Sequence, residues 1–299
     1  MPKSARPTPD AEASIDTPAH TDAAGSEKTQ RGIQALDATG DLLAALVAAG
    51  QPLALRDLAA AAGMPSAKAF PHLVSLLKTG LLERDEAGRY GAGPLSLELG
   101  LLGLARLSPV READAELVGL AAATGMSVAL AVQGPLGPTV VRLEESTRPL
   151  HVSLRPGTVM SIVNTAIGRV FAAWFDDDVR AALLAQDGLR LAGATNATNA
   201  TNATNATNAA NDAAYAERLA AIRAQGLDTA LDKPIPGIST VAAPVFDHTG
   251  SVCLVLALMG PSGNLDTTRD GNCASLLMAA SERLSRRFGY MAGAAAAPL

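Results

Sequence analysis

The chain has 299 residues, 48% of them hydrophobic and 18% charged, which suits two globular domains in water. Its formal net charge of −5 speaks against a nonspecific polyanion binder, although any docking face takes its sign from local arrangement. Two cysteines, Cys253 and Cys273, make no disulfide framework, and the apolar runs at 44–50 and 252–259 are too short to span a bilayer.

The first ten residues, MPKSARPTPD, carry no apolar segment behind their basic residues and read as no signal peptide. The expected location is therefore a reducing cytoplasm, with no membrane partner. Residues 1–28 lack apolar periodicity and read as a disordered tail. A helix is predicted over 31–49, with Leu36, Leu42, Leu43, Leu46 and Val47 apolar, closed by Gly50-Gln51-Pro52.

Residues 52–90 then follow a recognisable plan. Leu55, Leu58 and Ala59 fall on one face of a short helix. Gly63 and Pro65 break it. Ser66 is the expected N-cap of a second helix reaching about Thr79, with Leu73, Leu76 and Leu77 facing in. Gly80 ends that helix. The segments 81–84 and 89–90 flank the polar turn Asp85-Glu86-Ala87-Gly88 as a small hairpin. Helix, turn, helix and hairpin make a winged helix-turn-helix, whose second helix enters the DNA major groove.

After Gly93-Pro94 a further helix runs to about Leu107. Its leucines at 95, 97, 99, 101, 102 and 104 lie almost all round it, so it must be covered on more than one side. Beyond Pro109, helices are predicted at 113–123, 161–175, 179–185 and 215–225 and, capped by Asp266 or Thr267, over a last stretch to about Tyr290. Strands are predicted at 127–133 and 139–144 around a GPLGP turn, at 150–154, and as a hairpin of 239–246 with 251–259. Residues 226–238 read as a loop. Asp176, Asp177 and Asp178 suit a helix N-terminus better than a metal. Five copies of Thr-Asn-Ala at 195–209 read as a low-complexity surface loop within an insert at 193–211. Four of its asparagines are formal glycosylation sequons, expected to stay unmodified in the cytoplasm. The fold class is α+β, with an antiparallel sheet covered by helices in the second domain.

The stretches RDLAAAAGMPSAKAFPHLVSLLKTGLLERD, GRYGAGPLSLELGLLGLARL and PGISTVAAPVFDHTGSVCLVLALMGP, in this order, resemble the IclR family of bacterial transcription regulators. The resemblance covers nearly all the chain except the tails and the insert. It implies a winged helix-turn-helix head at 29–92, a linker and dimerisation helix at 93–109, a GAF-like effector-binding domain at 110–290 and a second tail at 291–299. A homodimer or tetramer, a double-stranded DNA operator and a small-molecule effector are the implied partners.

For DNA, the outer face of the second helix offers Ser66, Lys68, Ala69, Phe70, His72 and Ser75, and the wing offers Arg84 and Arg89. The charges of 31–95 balance evenly between signs, so a basic surface must come from arrangement. Pro71 departs from the family pattern, where an arginine or another helix former is usual. Past the first turn of a regular helix a proline costs about 3 kcal/mol. Either the helix kinks, or it begins later with Ala69 or Phe70 as its cap and Pro71 in its first turn.

For the effector, the resemblance places a pocket between the helix after the third strand and the final hairpin. Its implied lining is Thr165, Ala166 and Ile167, then Asp228 or Asp232, then Thr240, Ala257 and Met259. Relatives that bind small carboxylates often have hydroxyl residues at the last two positions. Here the floor is apolar, so the expected ligand is a carboxylate or aromatic metabolite, with helix-start N–H groups near Thr165 able to hold a carboxylate. Routine side-chain hydrogen bonding is the alternative use of Thr165 and Thr240.

No nucleophile and base set emerges. His20 lies in the tail, His72 on the second helix, His151 on a strand and His248 in a turn, and no CxxC, HExxH, GxGxxG or Walker loop occurs. Neither cofactor nor metal is expected. The leading reading is a ligand-responsive DNA-binding regulator. A small-molecule sensor with a weakened DNA head comes second, and an enzyme on a GAF-like domain, with Cys253 as its reactive group, third.

Overall fold

The computed structural model describes residues 33–146, 154–192 and 213–291. The tails and the repeat insert fall outside these residues. So does the strand expected at 150–154, except Leu154, which lies in no strand.

Helices α1 (Gln34–Ala49), α2 (Leu55–Ala61) and α3 (Ser66–Thr79) and the hairpin β1 (Leu82–Arg84) and β2 (Tyr90–Ala92) form the head. Leu42 and Leu46 of α1, Leu58 and Ala59 of α2, Ala69, Leu73 and Leu76 of α3, and Leu82 and Tyr90 of the hairpin share one core. Two expectations about α3 need correction. Its cap is Pro65, in extended conformation and without a side-chain bond, so Ser66 is the first helical residue. The helix does not start late either: it runs through Pro71 as one element. Pro71 withholds a hydrogen bond from the carbonyl of Ala67, and both residues are exposed, so water can serve that carbonyl.

Helix α4 (Pro94–Arg106) begins with a proline in its first turn, where the missing N–H is harmless. Its start is bound to the head. The Gly93 and Leu95 amides donate to the carbonyls of Leu81 and Gly80 at 2.9 and 3.0 Å, and the Ser96 hydroxyl donates to Leu81 O at 2.7 Å. A Cβ at Gly93 would collide with the backbone of Gly80 and Leu82, which is why a glycine stands there. No residue of α4 is buried.

The second domain is built on a five-stranded antiparallel sheet of order β4-β3-β7-β6-β5, where β3 is Ser127–Gly134, β4 Gly137–Glu144, β5 Asp228–Ala230, β6 Ile238–Phe246 and β7 Val252–Pro261. Alternation along the strands gives the sheet two apolar faces. On one face Ala129, Ala131, Ala230, Ala242, Val255, Ala257 and Met259 pack with α7 (Ala166–Trp174), α8 (Asp177–Ala192) and α9 (Ala213–Gln225). On the other, Val128, Leu130, Val241, Ala243, Leu254, Leu256 and Leu258 pack with α6 (Asp114–Thr124) and α10 (Asn272–Arg287), near the short α5 (Pro109–Glu112).

Three boundaries differ from expectation. Residues 161–165 are not helical, because Thr165 caps α7 by accepting the Gly168 amide at 3.0 Å. The loop at 226–238 contains strand β5, paired with β6. Helix α10 starts at Asn272, because Asp266 spends its carboxylate on the Thr268 amide and hydroxyl, at 2.9 and 2.7 Å, instead of capping a helix. Among the described residues no helix is long and apolar enough to cross a membrane.

Candidate DNA and effector sites

The outward side of α3 differs from the face expected for it. Lys68, Phe70 and Ser75 are exposed and Ser66 is partly so. Ala69 is fully buried, in step with Leu73 and Leu76, and cannot touch a groove. His72 is half-buried, and its Nδ1 lies 2.9 Å from the Thr39 hydroxyl, which joins α3 to α1. Ser75 donates to the Pro71 carbonyl at 3.1 Å.

The wing arginines are already engaged. Arg89 donates from its Nε to Asp85 at 2.7 Å, while the Arg89 amide donates to the other Asp85 oxygen at 2.8 Å. These bonds hold the Asp85 carboxyl below its ordinary range. Arg84 donates to Gly88 O at 2.9 Å and lies over the Tyr90 ring, 5.5 Å from its centre. Both remain solvent-facing hydrogen-bond donors on a preformed hairpin, a usable arrangement for phosphate contact.

On the effector side, Thr165, Ala166 and Ile167 sit on the sheet face that carries Thr240, Ala257 and Met259, and all six are buried. Thr165 is fully occupied by local structure: its hydroxyl donates to Ser161 O at 2.7 Å and accepts from Gly168. A Cβ at Gly168 would strike the Ser161 carbonyl, so glycine lets the preceding loop lie directly on the helix.

The two acids behave differently from each other and from expectation. Asp228 is buried, but it points at arginines. Arg169 Nε donates to one of its oxygens at 2.7 Å and Arg218 Nε to the other at 2.8 Å. Arg169 also donates to Val163 O and Thr229 O, at 2.8 and 3.1 Å, so one guanidinium joins α7, the loop before it and β5. Asp228 is therefore a structural anchor. Asp232 is exposed, in a left-handed backbone conformation, and accepts from the Gly237 amide at 2.9 Å and the Ser262 hydroxyl at 2.5 Å. It shapes its own loop and lines no part of the buried face.

A second polar set was not anticipated. Asp187 of α8 is buried and accepts from the Ser161 hydroxyl at 2.5 Å and the Ile162 amide at 3.1 Å. The Tyr215 hydroxyl of α9 donates to Ile162 O at 2.9 Å, and burial raises its pKa. Together they fix residues 161–164 above α7. Arg169 was the readable sign of such wiring, being the one charge in the otherwise apolar run AIGRVFAAW. Cys253 is half-buried on β7, and desolvation pushes its thiol up to about 12, which makes it a poor nucleophile.

Most of the described chain has counterparts. The family description "IclR helix-turn-helix domain" matches residues 35–86, and "Bacterial transcriptional regulator IclR C-terminal" matches residues 104–286. The chain belongs to the IclR family of bacterial transcriptional regulators. The glycerol operon regulatory protein of Streptomyces griseus is 30% identical to it over 240 residues, covering 77% of this chain and 86% of that one. The regulator BhcR of Paracoccus denitrificans is 25% identical, covering 85% and 87%. Among solved structures, HmgR of Pseudomonas aeruginosa superposes with a TM-score of 0.73 at 31% identity, covering 86% of this chain and 99% of that one. This IclR-family chain is thus a DNA-binding transcriptional regulator, with α1–α3 and the wing as its DNA-binding head. The curated proteins it resembles are transcriptional regulators.

Proposed function

We propose that this regulator responds to a small organic effector, a carboxylate or an aromatic metabolite, bound on the sheet face beneath α7, and that it acts in the cytoplasm as a homodimer. The observation that carries the reading is the combination of a family DNA-binding head with a second domain whose α7 face presents Ala230, Ala257 and Met259 beside the hydroxyl of Thr240. Such a face favours a largely apolar ligand with few polar groups. Asp228 and Asp232 drop out of the proposed lining, because their oxygens serve the arginines and the 232–237 loop. The dimer is supported by α4, whose leucines are exposed along its length. A dimer sets two copies of α3 about one turn of DNA apart, or a multiple of it, and an effector that prefers one dimer geometry shifts the population toward it.

Two measurements test this. A thermal-shift screen of aromatic and aliphatic carboxylates against the full chain is expected to yield compounds that raise Tm, with the gain lost in Ala257→Trp, which fills the face. No hit across such a screen removes the effector reading. Selection of duplexes from a random pool is expected to enrich a two-fold symmetric site. A sensor with a weakened head is favoured by Pro71 in α3 and by the Asp85–Arg89 pair on the wing. That second reading predicts ligand hits without duplex enrichment.

A further inference from the structure

Helix α3 carries two apolar stripes. One is the core stripe of Ala69, Leu73 and Leu76. The other consists of Ala67, Phe70, Pro71 and Val74, spaced i, i+3, i+4 and i+7, which places them together on a different face of the same helix. Ala67, Phe70 and Pro71 are exposed and Val74 is half-buried; Phe70 leaves 51% of its surface open. Nothing in the head's core requires this second stripe, and contiguous exposed apolar side chains on one helix face mark an interaction surface more than a lone exposed residue does.

The sequence of α3, SAKAFPHLVSLLKT, contains no Arg, Asn, Gln, Asp or Glu. It therefore lacks most of the side chains that read base edges by paired hydrogen bonds. His72 is tied to Thr39. What remains on the outside is the apolar stripe, bordered by Lys68, Ser75 and Lys78. In the major groove the only apolar feature of a natural base pair is the thymine C5-methyl, and phenylalanine is among the side chains that pack on it. The lysines and the wing arginines have the sign that phosphates require.

We infer that α3 recognises its operator chiefly by apolar contact with thymine methyl groups, with Phe70 as the main reader and Lys68 and Lys78 holding the backbone. This inference rests on the DNA-binding reading and adds to it the chemistry of the bases read. Pro71 then has a role: its ring extends the apolar surface beside Phe70, where an arginine would have sought guanine.

The test uses the full chain and a duplex enriched from a random pool. Each thymine of the enriched site is replaced in turn by deoxyuridine, which removes one methyl and keeps every hydrogen-bonding group. Loss of a buried methyl contact should weaken Kd about fourfold at each contacted position. Phe70→Ala should weaken binding to the thymine duplex and erase the difference between thymine and deoxyuridine, while its Tm stays at the wild-type value because Phe70 is exposed. The paired comparison separates the contact from any change that deoxyuridine makes in the DNA itself. Unchanged Kd at every substituted position, or a Phe70→Ala variant that still distinguishes the two bases, overturns methyl reading and leaves the DNA-binding reading standing. Failure to enrich any duplex overturns both, and self-association weakened in Phe70→Ala would then assign the stripe to a protein contact.

Discussion

Helix α7 buries seven of its nine residues, and helix α4 buries none of its thirteen. Both are rich in apolar side chains. The difference lies in what the chain supplies around them. The sheet covers one side of α7, while Tyr215, Leu219 and Ile222 of α9 cover another. The first turn of α4 is bound at the corner of the head, and Leu97, Leu99, Leu101, Leu102 and Leu104 are exposed among the described residues. Apolar content tells that a helix will be covered, but it does not tell by which chain. In the dimer proposed above, a second copy of the protein would cover α4.

The comparison is sharpest at Phe171, which is fully buried in α7. Phe171→Ala should lower the unfolding free energy by about 3–5 kcal/mol, measured by denaturant titration. A loss below about 1 kcal/mol would mean that α7 is loosely packed and the contrast with α4 is false. Next comes the anchor of α7 to β5. Asp228→Ala strands Arg169, whose side chain is only 13% exposed, and should destabilise by about 3 kcal/mol. Asp228→Asn, which keeps one acceptor for a guanidinium, should lose less.

A smaller effect is expected at Tyr215. Tyr215→Phe removes the bond to Ile162 O and should lower stability by about 1 kcal/mol. It also carries a pH signature. The folded state raises the pKa of Tyr215 above its ordinary value of 10.0, so its contribution is whole below pH 10 and falls as the pH rises beyond it. The difference between wild type and Tyr215→Phe should therefore shrink in alkaline denaturation curves. The smallest effect on the isolated protomer is expected at α4. Leu101→Glu should change protomer stability by no more than about 0.5 kcal/mol, because the side chain is exposed. The same substitution should abolish self-association in analytical ultracentrifugation. An oligomer that survives it would place the dimer contact elsewhere.

Much of the head was legible in the sequence, because glycines and prolines punctuate it and its leucines keep helical period. The inner and outer faces of α3 were legible less well. Ser66 looked like the cap and Ala69 like part of the outer face, whereas the extended Pro65 takes the cap position and Ala69, four residues before Leu73, lies in the core stripe. Strand β5 escaped because three residues carry too little pattern; it exists through antiparallel pairing with β6, the next strand in the chain. The shared burial of Ala166, Ile167, Ala257 and Met259 was readable as a set of apolar positions. The roles of the acids were not, because whether Asp228 meets a ligand or an arginine depends on where α7 and α9 bring Arg169 and Arg218.

The binding of α4 to the corner of the head gives the molecule a lever. Three hydrogen bonds tie the first turn of α4 to Gly80 and Leu81, immediately after α3 ends. A rotation that kept these bonds would carry head and helix together, pivoting past Arg106, where the helix stops. Thirteen residues make an arm about 20 Å long. A tilt of about 10° at its far end carries the head through about 3.4 Å, close to the spacing between successive base pairs. A rearrangement in the second domain too small to change its fold would thus be enough to move α3 by one base-pair step along the groove.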